Sequence, residues 1–124
     1  MRFYWADYFS AWLDRMSFKE KMTRLQSQEQ FEALRASKYE TPILIYFTAS
    51  WCGPCRAFDW ESVKDSLGGY TLYLCDVDEN TYTPGFCGVR SIPNFLLMKP
   101  DSTLVGPKQM SDSRNLLTWL KESS

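Results

Sequence analysis

Histidine is missing from all 124 residues. Its absence excludes Ser-His-Asp and Cys-His nucleophile activation, imidazole metal ligation and any imidazole proton shuttle. Chemistry must then rest on Cys, Asp, Glu, Lys, Tyr or Ser. Glycine and proline are scarce, six of each, against eight Phe, seven Tyr and five Trp, which excludes a disordered or low-complexity chain. Neither charge sign dominates: fourteen basic and fifteen acidic residues leave −1, so nothing global recruits nucleic acid or an anionic membrane. No apolar run approaches the ~20 residues of a membrane span. A chain of this length supports one domain with one real core.

Cysteine is also limited, to four. Cys52 and Cys55 form a C-x-x-C, while Cys75 and Cys87 stand alone. A small secreted scaffold would carry more cysteines and a signal peptide. Asp7 interrupts what would have to be an apolar signal core, so the expected location is cytoplasmic, with mostly free thiols. A four-cysteine zinc site normally uses a second close pair. The gap of twelve between Cys75 and Cys87 supplies none, and no metal is expected.

Two compositional zones follow. Residues 1–24 hold seven of the aromatics, all by Phe18, and carry +2 (Arg2, Arg15, Lys19, Lys21 and Arg24 against Asp7, Asp14 and Glu20), which leaves −3 for the rest. Trp5, Tyr8, Phe9, Trp12, Leu13 and Met16 recur at three- and four-residue steps, a helical stripe. Residues 1–22 are therefore expected to form an aromatic helical extension that docks on a domain spanning 23–124. The alternatives are a partner-binding or membrane-surface helix, the latter weakened by Asp7 and Asp14 on the polar side.

Beyond this extension, strand-like and helix-like stretches alternate. Thr23–Leu25 reads as an edge strand, and Ser27 as the cap of a helix to about Ser37, with a capping box to Gln30. Pro42–Thr48 is a continuous apolar run expected of a central strand buried on both faces. Gly53–Leu67 reads as one helix with Phe58, Val63 and Leu67 inward, ended by Gly68-Gly69. Tyr70–Val77, Asn94–Met98 and Thr103–Val105 read as strands, and Ser111 as the cap of a last helix carrying Leu116, Leu117, Trp119 and Leu120. This order predicts an α/β fold, a mixed sheet with helices on both faces.

Chemistry concentrates at Trp51-Cys52-Gly53-Pro54-Cys55, which follows the most hydrophobic strand and opens a helix. A cysteine at a helix N-terminus faces amide donors that have no intrahelical partner, at the positive end of the macrodipole. Both favour thiolate, so the Cys52 pKa is expected below that of a free cysteine. Cys55, one turn along, is close enough to close a small disulfide ring. Pro54 sits in the first turn, where its missing N–H costs nothing, and stiffens the loop. A structural disulfide or a pair of inert thiols fits this strand-to-helix context less well.

Here the sequence resembles the thioredoxin family. Its Trp-Cys-Gly-Pro-Cys motif is identical to the family's active site, Ile43–Ser50 is similar to the central strand and its loop, and Val89-Arg90-Ser91-Ile92-Pro93 is similar to the loop holding a cis proline. Asp76-Val77-Asp78 and the strand-strand-helix ending also fit, over residues 23–122. The resemblance implies a thioredoxin fold and protein-disulfide reduction, with Cys52 attacking, Cys55 resolving and Pro93 packed against the disulfide. Ile92 would offer its backbone to an extended substrate, and Trp51, Gly53 and Pro54 would complete the contact surface. It further implies disulfide-containing client proteins, a thioredoxin reductase or other dithiol donor, no resident cofactor, and a mostly monomeric protein. The rival readings are a dithiol oxidase or isomerase on the same fold, and an adaptor that binds a partner through its aromatic N-terminal helix.

The sequence departs from the family at several points. The family's buried Asp, six residues before the first active-site cysteine, is Tyr46, and its companion Lys is Leu74. Removing both halves of a buried ionisable pair can be neutral or stabilising. The implied cost is a slower resolving step, since Cys55 lacks a nearby base; Asp59 and Glu61 are expected on the solvent face of the helix. Asn94 stands where Thr commonly follows the proline, and Gly106 in the last loop is the loose counterpart of a glycine beside the substrate groove. Cys75, on an apolar strand, reads as an inert core thiol. Cys87, six residues before Pro93 and on the active-site side, reads as inert before regulatory.

Overall fold

The computed structural model describes residues 17–124. The aromatic stripe between Trp5 and Met16 lies outside these residues. A 3₁₀ turn at Lys19–Lys21 leads into strand β1 (Thr23–Arg24), helix α1 (Gln28–Ala36), strand β2 (Ile43–Thr48) and the short helix α2 (Gly53–Arg56). A second 3₁₀ turn at Lys64–Leu67 precedes strand β3 (Thr71–Asp76) and helix α3 (Tyr82–Cys87), and the chain ends with strands β4 (Asn94–Met98) and β5 (Leu104–Gln109) and helix α4 (Ser113–Ser123). The strands form one sheet in the order β1-β3-β2-β4-β5. β3 runs parallel to β1 and β2, while β4 runs antiparallel to β2 and β5.

β2 is the middle strand, and all six of its residues are buried, as its unbroken apolar run predicts. Its side chains alternate between two cores. Leu44 and Tyr46 join Cys55, Phe58, Trp60, Phe95, Leu97, Leu116 and Leu120 on one face. Ile43, Ile45 and Phe47 join Phe31, Leu34, Cys75, Leu96 and Met98 on the other. Helices α2 and α4 thus cover the first face, and α1 and α3 the second.

Ser27 caps α1 as expected, its Oγ accepting the Gln30 N–H at 3.2 Å. The Gln30 side chain reaches back to the Gln26 N–H rather than to that of Ser27, so the box closes one residue early.

Three expectations need correction. The single helix over Gly53–Leu67 does not form: α2 stops at Arg56, and regular structure resumes only at Lys64. Phe58 and Trp60 are both buried in the same core, and two residues are about 200° apart on a helix, so one turn could not bury both. The chain instead bends, the Asp59 carboxylate accepting the Ser62 N–H at 3.2 Å and also the Ser62 hydroxyl. The last strand runs on through Gly106-Pro107-Lys108 rather than ending at Val105, with an irregular register opposite Phe95 and Leu97. Gly106 accommodates it: at φ +106° a Cβ would lie 2.9 Å from the Phe95 carbonyl oxygen, so only glycine fits.

The third correction concerns the cap of α4, which is Asp112 rather than Ser111. Asp112 Oδ1 accepts the Arg114 N–H at 2.9 Å. Asp112→Ala is accordingly expected to cost about 1 kcal/mol in denaturant unfolding, and Ser111→Ala to stay within about 0.5 kcal/mol of the parent. A larger loss in Ser111→Ala than in Asp112→Ala would return the cap to Ser111.

Candidate active site

The loop leaving β2 is tied down at each step before the C-x-x-C. The Val77 N–H donates to the Thr48 carbonyl at 2.9 Å, the Cys52 N–H to the Ala49 carbonyl at 3.2 Å, and the Arg56 guanidinium to the Ser50 carbonyl at 3.0 Å. Cys52 is delivered to the N-cap of α2, and Cys55 lies within it. The two are joined by a disulfide with Cα atoms 5.2 Å apart, well inside the range such a bond requires. Both are buried, Cys52 with a small exposed edge. The Cys52 sulfur accepts the Cys55 N–H at 3.2 Å. With only four residues in α2, the macrodipole behind Cys52 is small. What the structure does direct at the Cys52 sulfur is this N–H donor.

The proposed contact residues fall in different places. Trp51 is 65% exposed, and its indole N–H donates to Asp78 Oδ2 at 2.8 Å, which fixes the ring beside the disulfide. Gly53 and Pro54 are exposed on the first turn of α2, whereas Pro93 is buried. The Ile92–Pro93 peptide is cis, as the resemblance implies, and so is Gly106–Pro107, which it does not. Asn94 braces this loop, its Nδ2 donating to the Ser91 carbonyl at 3.1 Å. A groove of about 460 Å³ brings Trp51 and Ile92 together with Val77, Pro84, Val89 and Ser91. Among the described residues, neither the N–H nor the C=O of Ile92 takes a hydrogen bond. Asp78 and Asn94 carry no role in the sequence reading; their offsets from Trp51 and Ser91 become meaningful only once the loops are folded.

Tyr46 and Leu74 are paired across β2 and β3, so the two departures from the family face each other in one register. Tyr46 is fully buried among aromatic rings: Phe95 stacks on it at 5.3 Å, Trp60 meets it edge-on at 4.9 Å, and Phe58 lies at 6.3 Å. Its hydroxyl donates to the Cys55 carbonyl at 3.4 Å. Burial holds the phenol above its ordinary pKa, the Thr48 side chain working against that shift, so it stays protonated at neutral pH. Asp59 and Glu61 sit at the exposed edge of this region but are engaged locally, Asp59 with Ser62 and Glu61 with Lys64 at 2.7 Å. They lie past the end of α2 rather than on the solvent face of a helix.

The other two cysteines remain thiols. Cys75 is fully buried, and Cys87 packs on the same second core rather than toward the disulfide, although Pro84 and Val89 beside it line the groove. Burial pushes Cys75 up to about 12, with the charges of Cys87, Asp76 and Glu79 adding to the shift. Burial likewise pushes Cys87 up to about 11, against the pull of Arg35. Neither provides appreciable thiolate at neutral pH, which suits inert thiols. Among the described residues, no three His, Cys, Asp or Glu side chains gather as a metal ion would need, and no helix is long and apolar enough to cross a membrane.

A five-stranded mixed sheet that presents a C-x-x-C disulfide at the start of a helix, facing a cis-proline loop, defines a dithiol–disulfide oxidoreductase. The thioredoxin family model matches residues 22–122. Thioredoxin from Rickettsia conorii is 34% identical over 90 residues, covering 68% of this chain and 83% of that protein. Thioredoxin from Listeria monocytogenes is 41% identical over 78 residues, covering 56% and 76%. The crystal structure of oxidized mitochondrial thioredoxin 3 from Saccharomyces cerevisiae superposes with a TM-score of 0.74 at 28% identity, over 86% of this chain and 99% of that one. The chain belongs to the thioredoxin family. Its activity is dithiol–disulfide exchange, the reduction of protein disulfides.

The elevated thiols have a consequence for stability against pH. A thiol whose pKa is higher in the folded state than its ordinary 9.0 favours folding fully below pH 9, and that contribution is lost as pH rises toward 11 and 12. Denaturant unfolding should therefore weaken above pH 9, by up to about 1.4 kcal/mol per pH unit for each thiol. The slope should flatten in a Cys75→Ala/Cys87→Ala variant; an identical slope would assign the effect to the tyrosines.

Proposed function

We propose that Cys52 is the attacking and Cys55 the resolving thiol, and that clients bind in extended form along the groove between Trp51 and Ile92. The observation that carries this reading is the Cys52 sulfur, which holds the N-cap position, accepts the Cys55 N–H and sits within bonding distance of its partner. In the reduced protein, the Cys52 thiolate attacks one sulfur of a client disulfide. A Cys52–client bond forms, and the second client sulfur leaves as a thiolate that takes up a proton. Cys55 then loses its proton and attacks the Cys52 sulfur. The Cys52–Cys55 disulfide forms, the remaining client thiolate departs, and two electrons have passed to the client.

The groove supports the docking half of this reading. The free N–H and C=O of Ile92 suit a strand-like client backbone, and the exposed indole of Trp51 supplies an apolar wall. Gly53 and Pro54 complete the rim, with Pro93 buried behind it. No resident cofactor is needed, since both electrons come from the two sulfurs. A thioredoxin reductase or another dithiol donor returns the pair to its thiol form. A single chain suffices, because both sulfurs belong to one loop and helix, and a reducing compartment such as the cytoplasm fits the free Cys75 and Cys87. In an insulin-reduction assay with a dithiol donor, Cys52→Ser is expected to abolish turnover. Cys55→Ser should also stop turnover while accumulating a covalent Cys52–insulin adduct. An adduct on Cys55 in the Cys52→Ser variant, with turnover retained, would reverse the assignment.

The Tyr46–Leu74 pairing bears on the second step. Among the described residues no carboxylate is buried against Cys55, and Glu20, Asp59 and Glu61, which line a groove with it, are exposed. With an aromatic cluster in that place, the mixed disulfide is expected to be long-lived. Tyr46→Asp should speed decay of the mixed disulfide by roughly tenfold or more, the low end of what a positioned base supplies. It should also lower stability by roughly 3 kcal/mol, because the new carboxylate is buried without a partner. Equal decay rates in parent and variant would remove Tyr46 from any influence on resolution.

A further inference from the structure

The client groove carries one formal charge. Its walls are Trp51, Val77, Pro84, Val89, Ser91 and Ile92, all uncharged, together with Arg90. The backbone on either side of Arg90 is anchored. The Val89 N–H before it donates to the Pro84 carbonyl at 2.8 Å, and the Ser91 carbonyl after it accepts from Asn94 Nδ2 at 3.1 Å. The side chain is not anchored. Arg90 is exposed, and among the described residues its guanidinium enters no ion pair and no hydrogen bond. Every other described arginine finds an oxygen: Arg24 on Glu79, Arg35 on Glu32, Arg56 on the Ser50 carbonyl and Arg114 on Asp112. The Asp78 carboxylate behind the Trp51 ring is taken up by the indole N–H instead. A cation is thus held at the mouth of an apolar groove with its donors unspent.

We infer that Arg90 selects among clients, pairing with an acidic side chain that lies close in sequence to the client cysteine attacked by Cys52. The inference rests on the reading of this groove as the client site and adds to it the charge of the preferred client. Arg90 stands two residues before Ile92, so their backbones are at most about 7 Å apart. A client strand laid on the free N–H and C=O of Ile92 therefore passes within reach of the guanidinium. The planar guanidinium presents paired donors that match a carboxylate. Docking also strips water from the groove, so an Arg90 left without a partner loses solvation and receives nothing in exchange. A basic side chain in the same place adds repulsion. Attraction to one class and repulsion of the other both contribute to the discrimination. The chain as a whole carries −1, which by itself favours basic clients, so a preference for acidic ones is local to this residue.

The test follows the pre-reduced full chain as it reduces disulfide-linked homodimers of a single-cysteine peptide. Glu, Gln or Lys occupies in turn each position within about three residues of the cysteine, the span an extended client offers to Arg90. The two sulfurs of such a dimer are equivalent, so which one is attacked is not in question. Each second-order rate constant is divided by that of dithiothreitol with the same peptide, which removes the effect of charge on the reactivity of the cystine itself. For at least one position, the parent should reduce the Glu peptide about fivefold faster than the Lys peptide at low salt, and the ratio should fall toward one as salt is added. Arg90→Gln should bring the ratio below about twofold, and Arg90→Glu should invert it. Each ratio compares peptides within one protein, so a general loss of activity cancels. A ratio near one at every position in the parent would overturn the inference. The parent's ratio persisting in Arg90→Glu would also overturn it, by placing the selecting charge elsewhere. Failure of the parent to reduce any of the peptides would bring down the reading of the groove and disulfide themselves, and this inference with them.

Discussion

Everything at the active end of this molecule depends on β2 being buried on both faces and paired along both edges. A strand in that position has no freedom of register, because a slip of one residue would exchange its two sets of side chains between two cores of different composition. Its end is therefore fixed, and so is the loop that leaves it. Three hydrogen bonds, onto the carbonyls of Thr48, Ala49 and Ser50, carry that rigidity residue by residue toward Cys52. Placement of a sulfur to within a bond length is inherited from a strand several residues away.

The two faces of the sheet solve different problems. The α1 and α3 face is aliphatic and aromatic in the ordinary way, with Asn80 at its edge fully satisfied by the Leu25 carbonyl and by Thr83. The α2 and α4 face is dominated by four rings, Tyr46, Phe58, Trp60 and Phe95, which contact one another in tilted, stacked and edge-on arrangements. This cluster explains both the early end of α2 and the absence of a buried ion pair. Filling the space with rings draws Phe58 and Trp60 inward together, which a helix cannot do. It also leaves no polar cavity in which a carboxylate and an ammonium could satisfy each other. Local backbone and buried electrostatics are thus two results of one packing choice.

Much of the fold is legible in the sequence because its signals are local. The run Ile43–Thr48 marks a two-sided strand, Ser27 and Gln30 mark a helix start, and a C-x-x-C between strand and helix marks a redox pair. What escaped the reading is decided by contacts distant in sequence. No periodicity shows that Trp60 must share a core with Tyr46, so Gly53–Leu67 looks like one helix. Asp112 and Ser111 are both good caps, and only the backbone geometry at the start of α4 selects between them. Gly106-Pro107 has the composition of a turn, yet it lies inside β5 because an irregular register next to Phe95 requires a glycine there. The site shows the same division: Cys52, Cys55 and Trp51 are legible as a motif, whereas Asp78 and Asn94 gain roles only when separate loops meet.

Chemistry without histidine narrows what the protein must contribute. Thiol–disulfide exchange needs no metal and no carried group, because the attacking, central and leaving atoms are all sulfur. Direction is set by the relative stabilities of two disulfides, and rate by which sulfur is anionic and reachable. This chain addresses those demands with few parts. One N–H from Cys55 reaches the Cys52 sulfur, a tethered indole lies beside it, and the Ile92 backbone is unpaired among the described residues, which are the parts the proposed client contact uses. Cys55 sits deeper, held through its carbonyl by a tyrosine that carries no charge. Under the proposed assignment of attacking and resolving thiols, an uncharged tyrosine rather than a carboxylate behind Cys55 favours formation of a mixed disulfide over its release. The lifetime of that adduct, rather than the speed of attack, is then the quantity that the proposed assignment makes sensitive to residue 46.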